Sequence, residues 1–168
     1  MKHKFVLVIS FYIGVITSIL PDFPMLMRLR GLLYSLFMVS SGENFQVSRG
    51  VSFKGLEQLA VGNNVYIAPN CKFILRDGCN LGDDIMIGPN CVIVDGNHGF
   101  DGSSYRYNHG KSGLITIESG CWLGANVVVT QSARIGRATV VGANSVVSGN
   151  LKPESVYVAR KAELLDRE

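Results

Sequence analysis

Through the middle of this chain an aliphatic residue returns at every sixth position, a spacing that neither an α-helix nor a pleated sheet produces. Written in sixes the chain reads VGNNVY, IAPNCK, then LGDDIM, IGPNCV, and later LGANVV, VTQSAR, IGRATV, VGANSV. The leaders are Val61, Ile67, Phe73, Leu81, Ile87, Ile93, Ile117, Leu123, Val129, Ile135, Val141 and Val147. Three such sixes, as between Ile117 and Ile135, close one turn of a triangular prism of short parallel strands, each leader stacked over the leader one turn before. The fifth positions (Val65, Cys71, Ile85, Cys91, Cys121, Val127, Ala133, Thr139, Ser145) are small or modest. They face inward beside the leaders, because residues of like parity in a strand share a side. Second positions are mostly Gly or Ala and fourth positions often Asn or Asp, the residues that tolerate positive φ or close backbone approach at sharp corners. A β-sandwich would alternate with period two and turn every eight to twelve residues, and a right-handed β-helix has longer, less uniform turns. The period therefore predicts an all-β fold, a left-handed parallel β-helix over residues 43–158, with a helical arm at 1–42 before it and a short helix or tail at 159–168 after it.

At 168 residues one domain is expected. Cys71, Cys91 and Cys121 occupy inward fifth positions, and Cys79 lies in a two-residue expansion between Phe73 and Leu81. With no CxxC spacing, the four read as reduced, buried thiols of a cytoplasmic protein rather than zinc ligands or a disulfide. Residues 1–40 carry the whole net charge of +3, through Lys2, Lys4, Arg28 and Arg30 against Asp22. The balanced coil does not read as a nucleic-acid surface.

Phe5 to Leu20 has no charge, is short for a bilayer span and lacks a small-residue cleavage site. Met25 to Ser40 is apolar except for Arg28 and Arg30 and reads as a second helix. Such a pair fits peripheral contact through residues 5–40 with the cytoplasmic face of the inner membrane. It equally fits a cap over the open first turn of the coil, or a subunit contact.

The period stops after Ile93 and resumes near Ile117, ejecting a loop at 96–114 with His98 at its root. A coil gains nothing from such a loop, so it is expected to carry function. With its hexapeptide repeats, this looped histidine and the string CWLGANVVV at Cys121 to Val129, the chain resembles the hexapeptide-repeat acyltransferases over residues 43–160. NHGFDGSSYRYN, at Asn97 to Asn108, is similar to the loop of streptogramin acetyltransferases, and the start of the chain to bacterial polysaccharide acetyltransferases.

That resemblance implies a homotrimer of parallel prisms, with acetyl-CoA as acyl donor in the cleft between neighbours and no metal. It implies His98 as the general base: a sugar hydroxyl is a poor nucleophile, and imidazole, which ordinarily titrates near neutrality, can take its proton as it attacks the thioester. No GxSxG nucleophile appears, so transfer is expected to be direct. Asp101 either orients His98 and its loop or forms an Asx turn. Asn97, Tyr105, His109 and Tyr66 are candidates for the acceptor. Trp122 is a candidate for donor contact or trimer packing. Pantetheine would run past Gly124, Ala125, Gly142 and Ala143, whose other role is corner geometry, and backbone N–H groups near Gly124 would serve the oxyanion. The family's GNPAK-like ending is replaced by VARKAELL, so Arg160 and Lys161 are the expected phosphate contacts.

The resemblance and the basic arm together imply O-acetylation of a sugar hydroxyl in a bacterial surface polysaccharide. The alternative is a small-molecule acceptor, a streptogramin-like drug or a nucleotide-linked amino sugar. A zinc hydratase on the same coil would need three converging histidines, whereas His98 and His109 share one loop and His3 is remote.

Overall fold

A computed structural model of the chain describes residues 2–160. Lys161 and most of the expected C-terminal helix or tail lie outside the described residues. Two helices, α1 (Lys2–Thr17) and α2 (Pro24–Ser35), precede a coil of parallel strands two or three residues long. The strands stack into three faces. The first face runs from Ser40–Ser41 through Leu59–Val61, Cys79–Leu81, Ile115–Ile117 and Arg134–Ile135 to Asn150–Leu151. The second runs from Gln46–Val47 through Tyr66–Ile67, Met86–Ile87, Trp122–Leu123 and Val140–Val141 to Val156–Tyr157. The third has five strands, from Ser52–Lys54 through Lys72–Ile74, Val92–Val94 and Val128–Val129 to Val146–Val147.

Register follows the hexapeptide leaders: Val61, Leu81, Ile117 and Ile135 stack in one column and Ile67, Ile87, Leu123 and Val141 in the next. These leaders and the fifth positions fill the interior, nearly all below one-twentieth exposed. A buried aliphatic side chain contributes roughly 1.5–3 kcal/mol. That exceeds the strain of about 1–2 kcal/mol that a left-handed corner residue costs, so the rungs can carry a strained corner.

The two corner residue types do different work. The fourth-position residues Asn64, Asn70, Asp84, Asn90, Asn126 and Asn144 all have φ between 55° and 64°. Their side chains also form ladders, with the Asn64 amide donating to Asp84 at 2.9 Å and the Asn126 amide to Asn144 at 3.0 Å. The second-position glycines instead permit close packing: a β-carbon on Gly88 would lie 2.8 Å from the carbonyl carbon of Gly124. Fifth-position cysteines serve the corners too, since Cys71, Cys91 and Cys121 donate to the carbonyls of Gly88, Gly124 and Gly136, each at 3.1 Å. All four cysteines are free and buried.

The arm closes the first turn. Tyr34 sets its ring edge-on to Phe53 with centroids 4.8 Å apart, and Phe53 in turn stacks on Phe73 at 5.2 Å. Burial pushes the Tyr34 phenol up to about 12, with the charge of Arg30 pulling the other way. Arg30 is itself buried, so it is no part of a basic flank facing outward, as the sequence suggested. Its guanidinium donates to Asp22 at 2.8 Å and to the carbonyls of Thr17, Leu20, Pro21 and Val47, tying the end of α1, the linker and α2 to the coil.

Candidate active site

Every departure from the hexapeptide period in the lower coil falls on one edge of the prism, between the third and first faces. Gln46, Tyr66 and Met86 stand in register, so these turns take twenty residues. The extra residues form a short 3-10 turn at Leu56–Gln58, then the segment Arg76 to Gly78, and above them the ejected loop. Positive φ at Gly55 (90°) and Gly78 (119°) lets these segments nest, a β-carbon on Gly78 falling 2.7 Å from the carbonyl oxygen of Gln58. The edge that carries the loop is thus built up from below.

The loop is a β-hairpin, strand Gly96–His98 paired antiparallel with His109–Ser112. Asp95, fully buried at its root, accepts from the backbone amides of Arg76 (2.8 Å), Asp77 (2.7 Å) and Gly78 (2.7 Å), a three-amide nest for one carboxylate. Burial, and then the charge of Asp95, push the neighbouring Cys79 thiol up. From the same segment Arg76 donates to the carbonyls of Asn97 (3.0 Å) and Lys111 (3.4 Å), one on each hairpin strand. Gly96 leaves room for it, since a β-carbon there would lie 2.2 Å from the guanidinium and displace it.

His98 pairs directly with His109, their ring centroids 6.5 Å apart and both side chains exposed. Two imidazoles therefore share one open hairpin face. Asn97 accepts from the His98 backbone amide through its side chain at 2.8 Å. Asp101 accepts from the amides of Ser103 and Ser104 and the Ser103 hydroxyl, at 2.7 to 2.9 Å, and these bonds hold its carboxyl below the usual range. It makes an Asx turn, and among the described residues no hydrogen bond joins it to the His98 ring. Tyr105 stacks on Phe100 at 5.1 Å near the tip.

Five of the predicted donor-contact residues come together elsewhere. Trp122, half-exposed, precedes the corner at Gly124 and Ala125, and the corner at Gly142 and Ala143 stacks on that one. The Gly124 amide donates to Val141 at 2.7 Å, so it is committed to the coil and not free to serve an oxyanion. This edge joins the second and third faces, a full side of the prism from the hairpin. Tyr66 lies on the second face two turns from Trp122, with Met86 between them. Arg160 closes the described chain. Among the described residues no three His, Cys, Asp or Glu side chains gather as a metal site.

Residues 115–149 match the bacterial transferase hexapeptide family, described as having six repeats. Over that segment the chain is similar to the hexapeptide-repeat transferases. A relative from Staphylococcus aureus (strain Mu50), provisionally named an acetyltransferase, is 39% identical over 107 residues, covering 62% of this chain and 53% of that protein. Escherichia coli (strain K12) WbbJ, provisionally named a lipopolysaccharide biosynthesis O-acetyl transferase, is 28% identical over 138 residues, 74% of this chain and 58% of that one. The chain spans about half the length of the curated relatives it matches. A hexapeptide-repeat acetyltransferase of Vibrio cholerae, solved with acetyl coenzyme A, shares the fold with a TM-score of 0.79 at 21% identity, over 93% of this chain and 83% of that one.

Within this hexapeptide-repeat chain, sequence reasoning missed Arg76 and Asp95. The two-residue expansion before Leu81 was the signal available, since it stacks beneath the loop.

Proposed function

We propose that this chain is an acetyl-CoA-dependent O-acetyltransferase acting on a sugar hydroxyl of a bacterial surface polysaccharide, with His98 as general base. The observation that carries the reading is an exposed imidazole held on a hairpin anchored from beneath by Arg76 and Asp95. Resemblance to provisionally named acetyltransferases, one of lipopolysaccharide biosynthesis, supports the acyl donor and the acceptor class.

An unprotonated ring nitrogen of His98 takes the hydroxyl proton while the oxygen bonds the thioester carbon. As the carbon–sulfur bond breaks, the imidazolium returns that proton to the departing thiolate, leaving an ester and free CoA thiol. His109, across the hairpin from His98, meets the acceptor in this reading. Asp101 shapes the hairpin tip through its turn, and the exposed Asn97 and Tyr105 border the approach.

Within one chain the hairpin and the small-residue corners at Gly124 and Gly142 stand on different edges, so the complete site needs a second copy. The outward residues support a homotrimer. On the upper turns the second face shows Met86, Trp122, Val140 and Val156 and the third Val92, Val128 and Val146, above the exposed Lys54 and Lys72 of the lower third face, whereas the first face shows Asn80, Thr116, Arg134 and Asn150. Apolar outer faces call for partners.

The test measures CoA thiol release with cell-envelope saccharide and with free amino and hydroxyl sugars. His98→Ala should lower turnover about a hundredfold or more with the oligomer intact. Undiminished turnover in that variant, or a monomer of full activity, removes the reading; release only with amino sugars moves the reaction to nitrogen.

A further inference from the structure

The arm is apolar on its outer side as well as where it meets the coil, more than a simple cap requires. Along α1 the coil-facing positions include Ser10 and Thr17, both buried, with Ser10 bonded to the carbonyls of Leu7 and Phe53 and Thr17 to that of Ile13. The opposite side presents Phe5, Val8, Phe11, Tyr12 and Ile16, each more than half exposed, and Ile19 follows at 86%. On α2, Met25, Leu29 and Leu32 are exposed as well. Among the described residues no helix is long and apolar enough to cross a membrane.

Beside this face lies a groove of about 520 Å³ between α1 and the third face of the coil. Phe73 and Ile74 line one wall, and Leu7, Phe11, Gly14 and Val15 the other, so Phe11 and Val15 belong both to the groove and to the outer apolar face. Lys54 and Lys72 also line it, exposed, and neither ion-pairs with any described residue. Lys4 and Arg28 are exposed on the arm itself. The one carboxylate in residues 1–40, Asp22, is taken up by Arg30 and the Arg49 amide.

We propose that the outer face of the arm and the adjoining groove dock on an anionic lipid surface, with α1 lying in the plane of the interface and an acyl chain entering the groove beneath Lys54 and Lys72. The charge pattern selects this occupant over a second copy. A self-complementary contact would bring the same cations together with no arm carboxylate to answer them, whereas anionic headgroups meet every one. A helix too short to span, with an apolar outer side and a lysine in its first turn, can lie in the plane of the interface with that side buried. The groove wall Lys72–Ile74 pairs with Val92–Val94, so the strand that leads into the hairpin lies one strand spacing, roughly 5 Å, from the lipid-facing groove. The inference stands on the arm and the adjoining groove and is independent of the role given to His98.

The experiment sediments the full chain with vesicles of phosphatidylcholine alone and of phosphatidylcholine with phosphatidylglycerol, at low and high salt. The protein should pellet with the anionic vesicles and be released by salt. Lys54→Gln and Lys72→Gln should each weaken that partition about fivefold. Phe11→Asp should weaken it about a hundredfold without changing the thermal midpoint. Protein that stays in the supernatant with anionic vesicles overturns the proposal, as does equal binding to neutral ones. So does a Phe11→Asp variant that changes the size of the lipid-free oligomer while vesicle binding persists, which would make the face a contact between copies.

Discussion

The coil and the arm bury in opposite senses. In the coil, aliphatic rungs turn inward and the polar corner residues face water. In the arm, Ser10, Thr17 and Arg30 turn inward beside a few apolar residues, while Phe5, Val8, Phe11, Val15, Ile16 and Ile19 face out. The coil is held by area removed from water, spread over many equal rungs, and no single residue dominates it. The arm is held by a few apolar plugs, Val6, Met27 and Tyr34, and by hydrogen bonds that concentrate on one guanidinium. A repeat distributes its stability; a docked cap localises it.

The largest expected effect breaks the arm and spares the coil. Arg30→Met leaves Asp22 without its buried partner and frees the carbonyls at the end of α1, which should destabilise the docked arm by about 3–5 kcal/mol. The only tryptophan, Trp122, reports the coil, while helical circular dichroism reports the arm. In a denaturant titration of the variant the helical signal should fall well before the Trp122 fluorescence changes. Coincident transitions would show that arm and coil share one cooperative unit and that the contrast is only one of surface.

A smaller effect tests whether the coil, too, has one localised latch. Asp95→Asn keeps the shape but replaces charge-assisted bonds to three backbone amides with neutral ones, a loss of about 2 kcal/mol confined to the hairpin root. Acyl transfer should fall about tenfold or more, its pH profile unchanged because His98 is still the base, while Trp122 fluorescence unfolds nearly as before. A drop in coil stability with full activity would make Asp95 a structural acid only.

These latches mark the limit of what the chain reveals as a string. The coil was legible because one rule recurs: every leader that the period names is buried, and every fourth-position Asn or Asp named beside it turns with positive φ. The hairpin was legible as a break in that rule, and His98 stood out there. His109 was named beside it for the acceptor, but its pairing with His98 was not legible, since that depends on hairpin register, which no local period encodes. Arg30 misled for a physical reason. A cation in an apolar helix reads as exposed, and only the end of α1 folding back over it supplies the carbonyls that make burial tolerable. Asp95 was hidden likewise, its three amide partners lying a full turn earlier in the coil.

The smallest expected effect runs in the stabilising direction and tests the corner rule where the sequence departs from it. Ala138 occupies a fourth position, is exposed and has φ of 53°, the left-handed geometry that Asn adopts at the neighbouring corners. Alanine has a β-carbon crowding the following carbonyl there and no side-chain amide to compensate, a strain of about 1 kcal/mol relative to residues suited to the region. Ala138→Asn should therefore raise stability by about 0.5–1 kcal/mol, seen as a later Trp122 fluorescence transition with the helical signal of the arm unmoved. A neutral or destabilising result would mean that the rungs above and below already hold this corner, so that coil geometry, and not the corner residue, sets the turn.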